Sequence, residues 1–240
     1  MRRLSIVLPV FNEEENLPIL AEELSRVVTD LRSEWAVECV FVDDGSTDRS
    51  RERMLEIRER HPELGVRVVA LDRNWGLTAA MDAGFRCARG EVVATLDTDL
   101  QNDPRDIPSL LAHLDRANVV VGVRVDRRDP FVKRVSSKVA NAIRNWATDE
   151  DIADTGCSLK VYRRAYLARL KLFNGLHRFL PTLLKMEGAR VAQVPVNHRP
   201  RRHGQAKYHL WNRLVGPLLD LFAVRWMQKR HLGYRWEEIP

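Results

Sequence analysis

Four oxygen-bearing side chains stand at alternate positions in one short stretch of the chain: Asp97, Asp99, Gln101 and Asp103. Carboxylates this close repel one another, and removing them from water is unfavourable. Hard divalent cations such as Mg²⁺ and Mn²⁺ offset that repulsion, since they take one or two carboxylates together with phosphate oxygens and water. The pattern therefore predicts either a solvated turn or a site for a cation and a diphosphate.

Alternate oxygens also open the calcium loop of an EF-hand, which needs glycine at its sixth position and glutamate at its twelfth. Those positions hold Asn102 and Pro108 here, which excludes that loop. The run 91–96 before the acids is typical of a buried strand. The acids then follow a strand end, and Leu96 and Leu100 are expected to point into the core.

The elements that must position these acids alternate through the first half of the chain. Strands are predicted at 4–8, 37–42, 66–71, 91–96 and 119–123, and helices at 16–32, 48–60 and 77–88. Strands rich in Val, Ile and Leu between helices are typical of a parallel sheet covered on both faces. Right-handed crossovers make this a doubly wound, nucleotide-binding-like α/β fold, whose ligands bind beyond the carboxyl ends of the strands.

An aspartate directly follows three of the first four predicted strands, so the sequence predicts a site at that edge. After the second strand, Gly45 permits a turn with positive φ, and the polar residues 46–48 can cap the next helix. Asp43 could instead accept a hydrogen bond from a base N–H. In the second half we predict a basic helix at 131–146, a short strand within 154–164, a helix at 175–187, a strand at 191–196 and a helix at 211–229.

Composition limits the class of protein. The 240 residues carry a net charge of +6, which favours an anionic partner such as a nucleic acid, a membrane surface or a phosphorylated substrate. Three scattered cysteines without a C-x-x-C pair argue against a disulfide framework and fit a reducing cytosol. No apolar run reaches the roughly 18 residues of a membrane span, so these residues are not expected to cross a bilayer. The histidines lack zinc-site spacing, which favours structural or loop roles.

Three segments resemble the signatures of family 2 glycosyltransferases, in the same order: 8–14 (LPVFNEE), 42–48 (VDDGSTD) and 97–101 (DTDLQ). The last, followed by Pro104, is similar to polyprenyl-phosphate glycosyltransferases such as dolichol-phosphate mannose synthases. Later segments also resemble that group: the strand end 121–124, the basic helix 133–141, 154–156 with 160–163, 177–181 and 201–208. The resemblance covers residues 4 to 210.

The resemblance implies a GT-A fold over residues 1–208, with a mixed, mostly parallel sheet and helices on both faces. It implies a donor that is a nucleotide diphosphate sugar, UDP- or GDP-linked, and a Mg²⁺ or Mn²⁺ ion bound by Asp97, Asp99 and Gln101. The residues that it assigns to donor binding are Pro9, Phe11, Glu13, Asp43, Asp97, Thr98, Asp99, Gln101, Arg178, Arg201 and Lys207.

The acceptor implied by the resemblance is a polyprenyl phosphate, held by Arg124, Lys133 and Ser137. Such a phosphate is already an oxyanion at pH 7 and can attack the anomeric carbon directly, with inversion. The catalytic residues implied are Asp99, Arg124 and Asp154. Asp154 would be a base or an orienting group, although a helix or turn cap explains it equally well.

Three alternatives to this function are another acceptor, nucleic-acid binding and a non-catalytic role. A saccharide acceptor would need a base, whereas the basic run 199–207 favours a phosphate. Nucleic-acid binding is the alternative of a different class, but the sequence has no helix-turn-helix, zinc finger or aromatic-interleaved basic sheet. A non-catalytic accessory protein would have no reason to keep three costly acids together.

The tail 209–240 is predicted to be an amphipathic helix, with Trp211, Phe222 and Trp226 beside basic residues. It could lie on a membrane surface or pack against protein, and the basic residues favour the membrane. We therefore expect a peripheral protein on the cytoplasmic face of the membrane that carries its lipid acceptor. A membrane-protein partner and a homo-oligomer stay open.

Overall fold

Within the described residues, the chain forms one seven-stranded sheet with helices on both faces. The structure is a computed structural model that describes residues 1–125, 142, 144–200, 215–234 and 237. The strands are β1 (Arg2–Val10), β2 (Trp35–Asp43), β3 (Arg67–Ala70), β4 (Val92–Thr95), β5 (Val119–Arg124), β6 (Lys160–Arg163) and β7 (Val191–Val196). The described helices are α1 (Leu17–Leu31), α2 (Ser50–Arg60), α3 (Leu77–Cys87), α4 (Ile107–Ala112), α5 (Arg164–Leu167), α6 (Leu180–Met186) and α7 (Val215–Arg230). Short 3₁₀ turns cover Pro62–Leu64, Pro104–Asp106, His113–Asp115 and Leu176–Phe179.

The strand order is β3-β2-β1-β4-β6-β5-β7. β1 pairs in parallel with β2 and β4, and β2 pairs in parallel with β3. β6 runs antiparallel to β4 and β5, while β7 is parallel to β5. The predicted doubly wound, mixed and mostly parallel sheet is therefore confirmed. Since β1 lies between β2 and β4, the chain reverses its winding direction there, where ligands bind in such folds.

Both faces of the sheet are buried, which explains why its strands are apolar throughout rather than alternating. Successive side chains of a strand point to opposite faces. Leu4, Ile6 and Leu8 of β1 join the core cluster that includes α1 and α2. Val7 joins the opposite cluster, which contains Met81 of α3.

Asp103 links the segment after β4 to the end of β7 and to α1. Its carboxylate accepts hydrogen bonds from the Arg105 main-chain N–H at 3.0 Å and from the Arg105 guanidinium, and it lies 2.6 Å from an Arg199 nitrogen. Arg199 also donates to both carboxylate oxygens of Glu23 at 2.8 Å. The Arg199 guanidinium is thus held between two carboxylates. We therefore remove Arg199 from the basic run 199–207 that is predicted to favour a phosphate.

We expect Asp103→Asn to lower the free energy of unfolding by about 2 kcal/mol at pH 7, as hydrogen bonds to a charged group are lost. Although burial opposes it, hydrogen bonding to Arg105 and Arg199 lowers the pKa of Asp103 to about 2. The stabilisation is complete above the unfolded pKa near 4 and is lost as the pH falls towards 2. Urea unfolding at pH 7 and pH 3 should therefore show a wild-type advantage that shrinks in acid. Asp30→Asn, at an exposed site, is the control. Equal losses of stability in Asp103→Asn and Asp30→Asn at both pH values would contradict the prediction.

The C-terminal helix packs its inner side on the region around α6. Leu221 and Val224 of α7 are buried against Leu176, Phe179 and Leu183. In the described ranges, no helix has the length and apolar character needed to span a bilayer.

Three predicted segments meet the limits of the described ranges. The helix predicted at 211–229 is confirmed from Val215 onwards. Most of the predicted basic helix at 131–146 lies outside the described residues, although 144–148 are helical. The domain boundary predicted at 208 also lies outside them.

Candidate active site

The carboxyl ends of β3, β2, β1 and β4 lie side by side, because these four strands are parallel neighbours. Pro9 and Asp43, near the ends of β1 and β2, and Asp97, just after β4, lie at this edge. The loops after β2 and β3 contact each other closely: a Cβ at Gly45 would meet the Asn74 main-chain nitrogen at 2.5 Å, and Gly45 has a φ of +70°. The predicted turn at Gly45 is therefore confirmed.

The Asp-x-Asp segment turns sharply after β4. Leu100 is 1% exposed and has a φ of +61°, a left-handed conformation that is unusual for leucine. Such strain persists only where the surroundings fix it, and it is common at functional sites. Thr98 donates to the Pro9 carbonyl at 3.1 Å, and the Gln101 N–H donates to an Asp99 oxygen at 3.1 Å. These bonds hold the segment against the end of β1.

Asp97 and Asp99 form an electrostatically strained pair. Burial and the nearby Asp99 charge raise the pKa of Asp97 above its usual range, although Ser158, Lys160 and Arg124 oppose the shift. Two adjacent carboxylates and the amide of Gln101 make a hard oxygen donor set, and a divalent cation would relieve the repulsion. Within the described ranges, no group of three or more His, Cys, Asp or Glu side chains is placed to hold a metal ion.

Ser158 links the loop before β6 to the end of β4, and no motif in the sequence indicated this role. Its hydroxyl accepts from the Asp97 N–H at 3.3 Å and donates to the Asn102 amide oxygen at 3.0 Å. The Thr95 hydroxyl donates to the Ser158 carbonyl at 2.6 Å. The antiparallel pairing of β6 with β4 brings these groups together.

Two of the residues predicted to bind the donor, Asp43 and Glu13, are already engaged in local structure. Asp43 is fully buried and accepts from the Ser46 N–H at 2.9 Å and the Arg51 guanidinium at 2.8 Å. Each carboxylate oxygen of Asp43 therefore already has one partner. Glu13 is also buried and accepts from Asn16 at 2.6 Å. Phe11 lies half-buried on the loop after β1.

Asp44 organises the loop after β3. It accepts from the main-chain N–H groups of Trp75 at 2.7 Å and Gly76 at 2.9 Å, and from the Asn74 side chain at 3.1 Å. Burial raises the pKa of Asp44 despite these bonds. Asp44 therefore shapes the loop next to the strand end that carries Asp43.

Arg124 and Asp154 form a two-pronged ion pair at the end of β5. The Arg124 Nε and Nη2 atoms donate to the two Asp154 oxygens at 2.7 and 2.9 Å, and the Arg124 main-chain N–H adds a third bond at 3.3 Å. Gly156 lies against the pair, since a Cβ there would be 3.0 Å from Arg124 Nη2. Both side chains are largely buried, so Asp154 orients the guanidinium and balances its charge.

A cavity of about 210 Å³ opens beside Asp97. Of the residues predicted to bind the donor, Pro9, Asp97 and Arg178 line it. Lys160 and His177 also line it. The sequence predicted only a strand at Lys160 and a structural or loop role for His177. The remaining predicted residues Lys133, Ser137, Arg201 and Lys207 lie outside the described residues.

The mixed, mostly parallel sheet with helices on both faces agrees with the predicted GT-A glycosyltransferase fold. The family model for glycosyl transferase family 2 matches residues 5–171, and the chain belongs to this family. It is therefore a glycosyltransferase, and the resemblance seen in its sequence is confirmed.

Two curated relatives cover most of the chain. A dodecaprenyl-phosphate galacturonate synthase from Rhizobium johnstonii is 38% identical over 231 residues, which are 94% of this chain and 67% of that protein. An undecaprenyl-phosphate 4-deoxy-4-formamido-L-arabinose transferase from Pectobacterium carotovorum is 36% identical over 224 residues, 93% of this chain and 67% of that protein. Both relatives are named as polyprenyl-phosphate sugar transferases.

Solved structures share the fold. Glucosyl-3-phosphoglycerate synthase from Mycobacterium tuberculosis, in complex with Mn²⁺, UDP and phosphoglyceric acid, superposes with a TM-score of 0.69 at 20% identity and covers 95% of this chain and 78% of its own. A mannosyltransferase from Pyrobaculum calidifontis, in complex with GDP-Man and Mn²⁺, superposes with a TM-score of 0.66 at 22% identity. The match covers 98% of this chain and 66% of that one. The predicted GT-A fold is thereby confirmed.

Proposed function

We propose that the protein transfers a sugar from a nucleotide diphosphate sugar to a polyprenyl phosphate, with inversion at the anomeric carbon and with Mg²⁺ or Mn²⁺ as cofactor. The names of the two curated relatives support this acceptor. The complexes of the structural neighbours with UDP or GDP-Man and Mn²⁺ support the donor class and the metal.

The observation that carries the proposal is the ion pair of Arg124 with Asp154. A saccharide acceptor attacks through a hydroxyl and needs a base to remove its proton. The carboxylate that the sequence offered for that task has both oxygens engaged by one guanidinium. A lipid phosphate needs no base, because its second pKa lies near 6. Asp154 takes the Nε–H and one N–H of Nη2 of Arg124, and the outer N–H groups of Nη1 and Nη2 are the pair that would meet a phosphate.

The reaction is a single displacement in this proposal. A phosphate oxygen of the acceptor forms a bond to the anomeric carbon while the bond from that carbon to the donor diphosphate breaks. The electron pair of the broken bond leaves with the nucleoside diphosphate, and attack from the opposite side inverts the configuration. Arg124, with Lys133 and Ser137, would hold the acceptor phosphate, and the enzyme's main contributions are alignment and charge neutralisation.

Asp97 and Asp99, with Gln101, would hold the divalent ion, which when bound neutralises charge on the departing diphosphate. The strained turn at Leu100 and the bonds from Thr98 and Gln101 keep these oxygens in place. Pro9, Phe11, Glu13 and Asp43 would surround the base on the neighbouring loops. Arg178 lines the cavity beside Asp97, and Arg201 and Lys207 are proposed to contact the diphosphate.

The lipid acceptor implies work at a membrane surface, and we propose a peripheral position on its cytoplasmic face. The outer side of α7 exposes large apolar residues, with Phe222 72% and Trp226 64% exposed, and its end carries exposed Lys229 and Arg230. Aromatic and basic side chains in this combination suit the headgroup region of an anionic bilayer.

The proposal is tested by incubating the protein with Mg²⁺ or Mn²⁺, a panel of UDP- and GDP-sugars and a short polyprenyl phosphate. We expect release of nucleoside diphosphate that depends on the lipid. The matched control is the polyprenol without its phosphate, which should not support release. Equal release with the alcohol, or release only with a saccharide acceptor, would contradict the proposed acceptor.

A further inference from the structure

A buried lysine lines the cavity beside Asp97. Lys160 is 3% exposed, and its ammonium donates to the Thr155 carbonyl at 3.3 Å and to the Cys157 carbonyl. An ammonium has three N–H donors. In the described part of the chain no acceptor is found for the third, and the residue lines the cavity. Burial of a cation with one open donor is unfavourable unless an anion or acceptor meets it.

His177 contributes a second donor to the same cavity. Its Nδ1 lies 2.6 Å from the Thr78 hydroxyl, which in turn accepts from the Gly175 N–H at 3.0 Å. Because the Gly175 N–H already donates to the hydroxyl oxygen, we assign the hydroxyl as the donor and Nδ1 as the acceptor. This assignment places the ring proton on Nε2. Burial lowers the pKa of His177 to about 3, so the ring is neutral at pH 7. Its Nε2–H makes no hydrogen bond within the described residues.

The polar lining of the cavity is therefore dominated by donors. Lys160, His177 and Arg178 supply N–H groups, and Asp97 is the carboxylate among the lining residues. The carboxylates whose charges act on Lys160 are Asp97 and Asp154. In the proposed function Asp97 binds the metal, and Asp154 is paired with Arg124. This leaves the positive charge of Lys160 to the bound sugar. Leu77 and Met81 form an apolar wall that suits the face of a sugar ring.

We propose that the donor sugar is a hexuronic acid, whose carboxylate accepts hydrogen bonds from Lys160 and His177. A carboxylate is an acceptor-only group with about four lone-pair sites, which matches a lining of donors and positive charge. A neutral hexose would present a hydroxymethyl group at the same place and bring no negative charge to the buried ammonium, whose neighbouring carboxylates, Asp97 and Asp154, would be held by the metal and by Arg124. The assignment rests on the proposed function, because it takes the cavity as the site of the transferred sugar.

The test compares donors that differ only in the carboxylate: UDP-galacturonate with UDP-galactose, UDP-glucuronate with UDP-glucose, and GDP-mannuronate with GDP-mannose. Titration calorimetry with Mg²⁺ measures donor binding without an acceptor. We expect at least one uronate to bind about tenfold to a hundredfold more tightly than its neutral partner, as charge-assisted hydrogen bonds do. Equal or tighter binding of the neutral sugar in every pair would overturn the inference.

Lys160→Met keeps the length of the side chain and removes its charge. We expect the variant to lose most of the preference for the uronate, while Lys160→Arg retains part of it. The matched control is Lys185→Met, since Lys185 binds Glu150 and Asp151 away from the cavity. Thermal unfolding of each variant shows whether the fold is kept. An unchanged preference in folded Lys160→Met would overturn the role of the lysine.

The same donors are then supplied with polyprenyl phosphate. Lipid product from uronates supports both proposals. Lipid product from neutral sugars in preference to uronates overturns the inference and leaves the proposed function intact. Uronate binding without any lipid product supports the inference and contradicts the proposed acceptor.

Discussion

Asp99→Asn is expected to lower kcat/KM for transfer by about a thousandfold, because a lost charge contact to the leaving group is worth several kcal/mol. Asp99 is buried, lies on the strained turn beyond β4 and contributes to the raised pKa of Asp97. Asparagine keeps the size and the oxygen acceptor but removes the charge that a divalent ion requires. The measurement is initial-rate kinetics of nucleoside diphosphate release across a Mn²⁺ titration. The half-saturating Mn²⁺ concentration should rise together with the loss of rate.

Asp115→Asn is the matched control, since Asp115 is exposed and lies in the 3₁₀ turn before β5, at the opposite end of the sheet. It should leave both the rate and the Mn²⁺ dependence unchanged. Removing one of two repelling carboxylates is not expected to destabilise the fold, so thermal unfolding of Asp99→Asn should match the wild type. Folded Asp99→Asn with wild-type turnover would show that the pair has no part in catalysis.

The second large effect is expected at the ion pair of Arg124 and Asp154. Arg124→Ala should lower kcat/KM for polyprenyl phosphate by about a hundredfold, as expected for a lost charged contact to a phosphate. Asp154→Asn should cost only about tenfold, because asparagine still accepts one of the hydrogen bonds that orient the guanidinium. The loss should fall mainly on KM for the lipid. Initial rates over a range of lipid concentrations separate KM from kcat.

The pH profile distinguishes a positioning carboxylate from a base. If the acceptor phosphate is the nucleophile, the rate should rise with the second ionisation of that phosphate near pH 6, in the wild type and in Asp154→Asn alike. If Asp154 were a base, the pH dependence of the rate would be lost in Asp154→Asn. The substitution would then change kcat far more than KM. Arg86→Ala, which breaks the exposed pair with Asp82 on α3, serves as the control for removing an arginine from an ion pair.

The fold could be predicted from the sequence because the patterns that indicate its strands and helices are local. Runs of Val, Ile and Leu separated by helical spacing indicate a buried parallel sheet, and the carboxyl ends of such strands share one edge. That reasoning places Pro9, Asp43 and Asp97 together, as the structure has them. It also predicted that Leu96 and Leu100 are buried, which the structure confirms.

Other features depend on contacts between distant residues, which spacing does not record. β6 is antiparallel and lies between β4 and β5, and this brings Lys160 and Ser158 next to Asp97. Arg199 was grouped with phosphate-binding residues by composition, yet Glu23 on α1 and Asp103 bind it. Asp43 is predicted to accept from a base N–H, and spacing does not record that Arg51 of the next helix donates to one of its oxygens.

The central claim is that the phosphate of a lipid carrier displaces the nucleoside diphosphate directly. The most direct test is ³¹P and ¹H NMR of the lipid product formed from a donor of known anomeric configuration. We predict a sugar joined through its anomeric carbon to the lipid phosphate, with the configuration opposite to that of the donor. A sugar joined to another sugar's hydroxyl group, or a product with the donor's configuration retained, would contradict the claim.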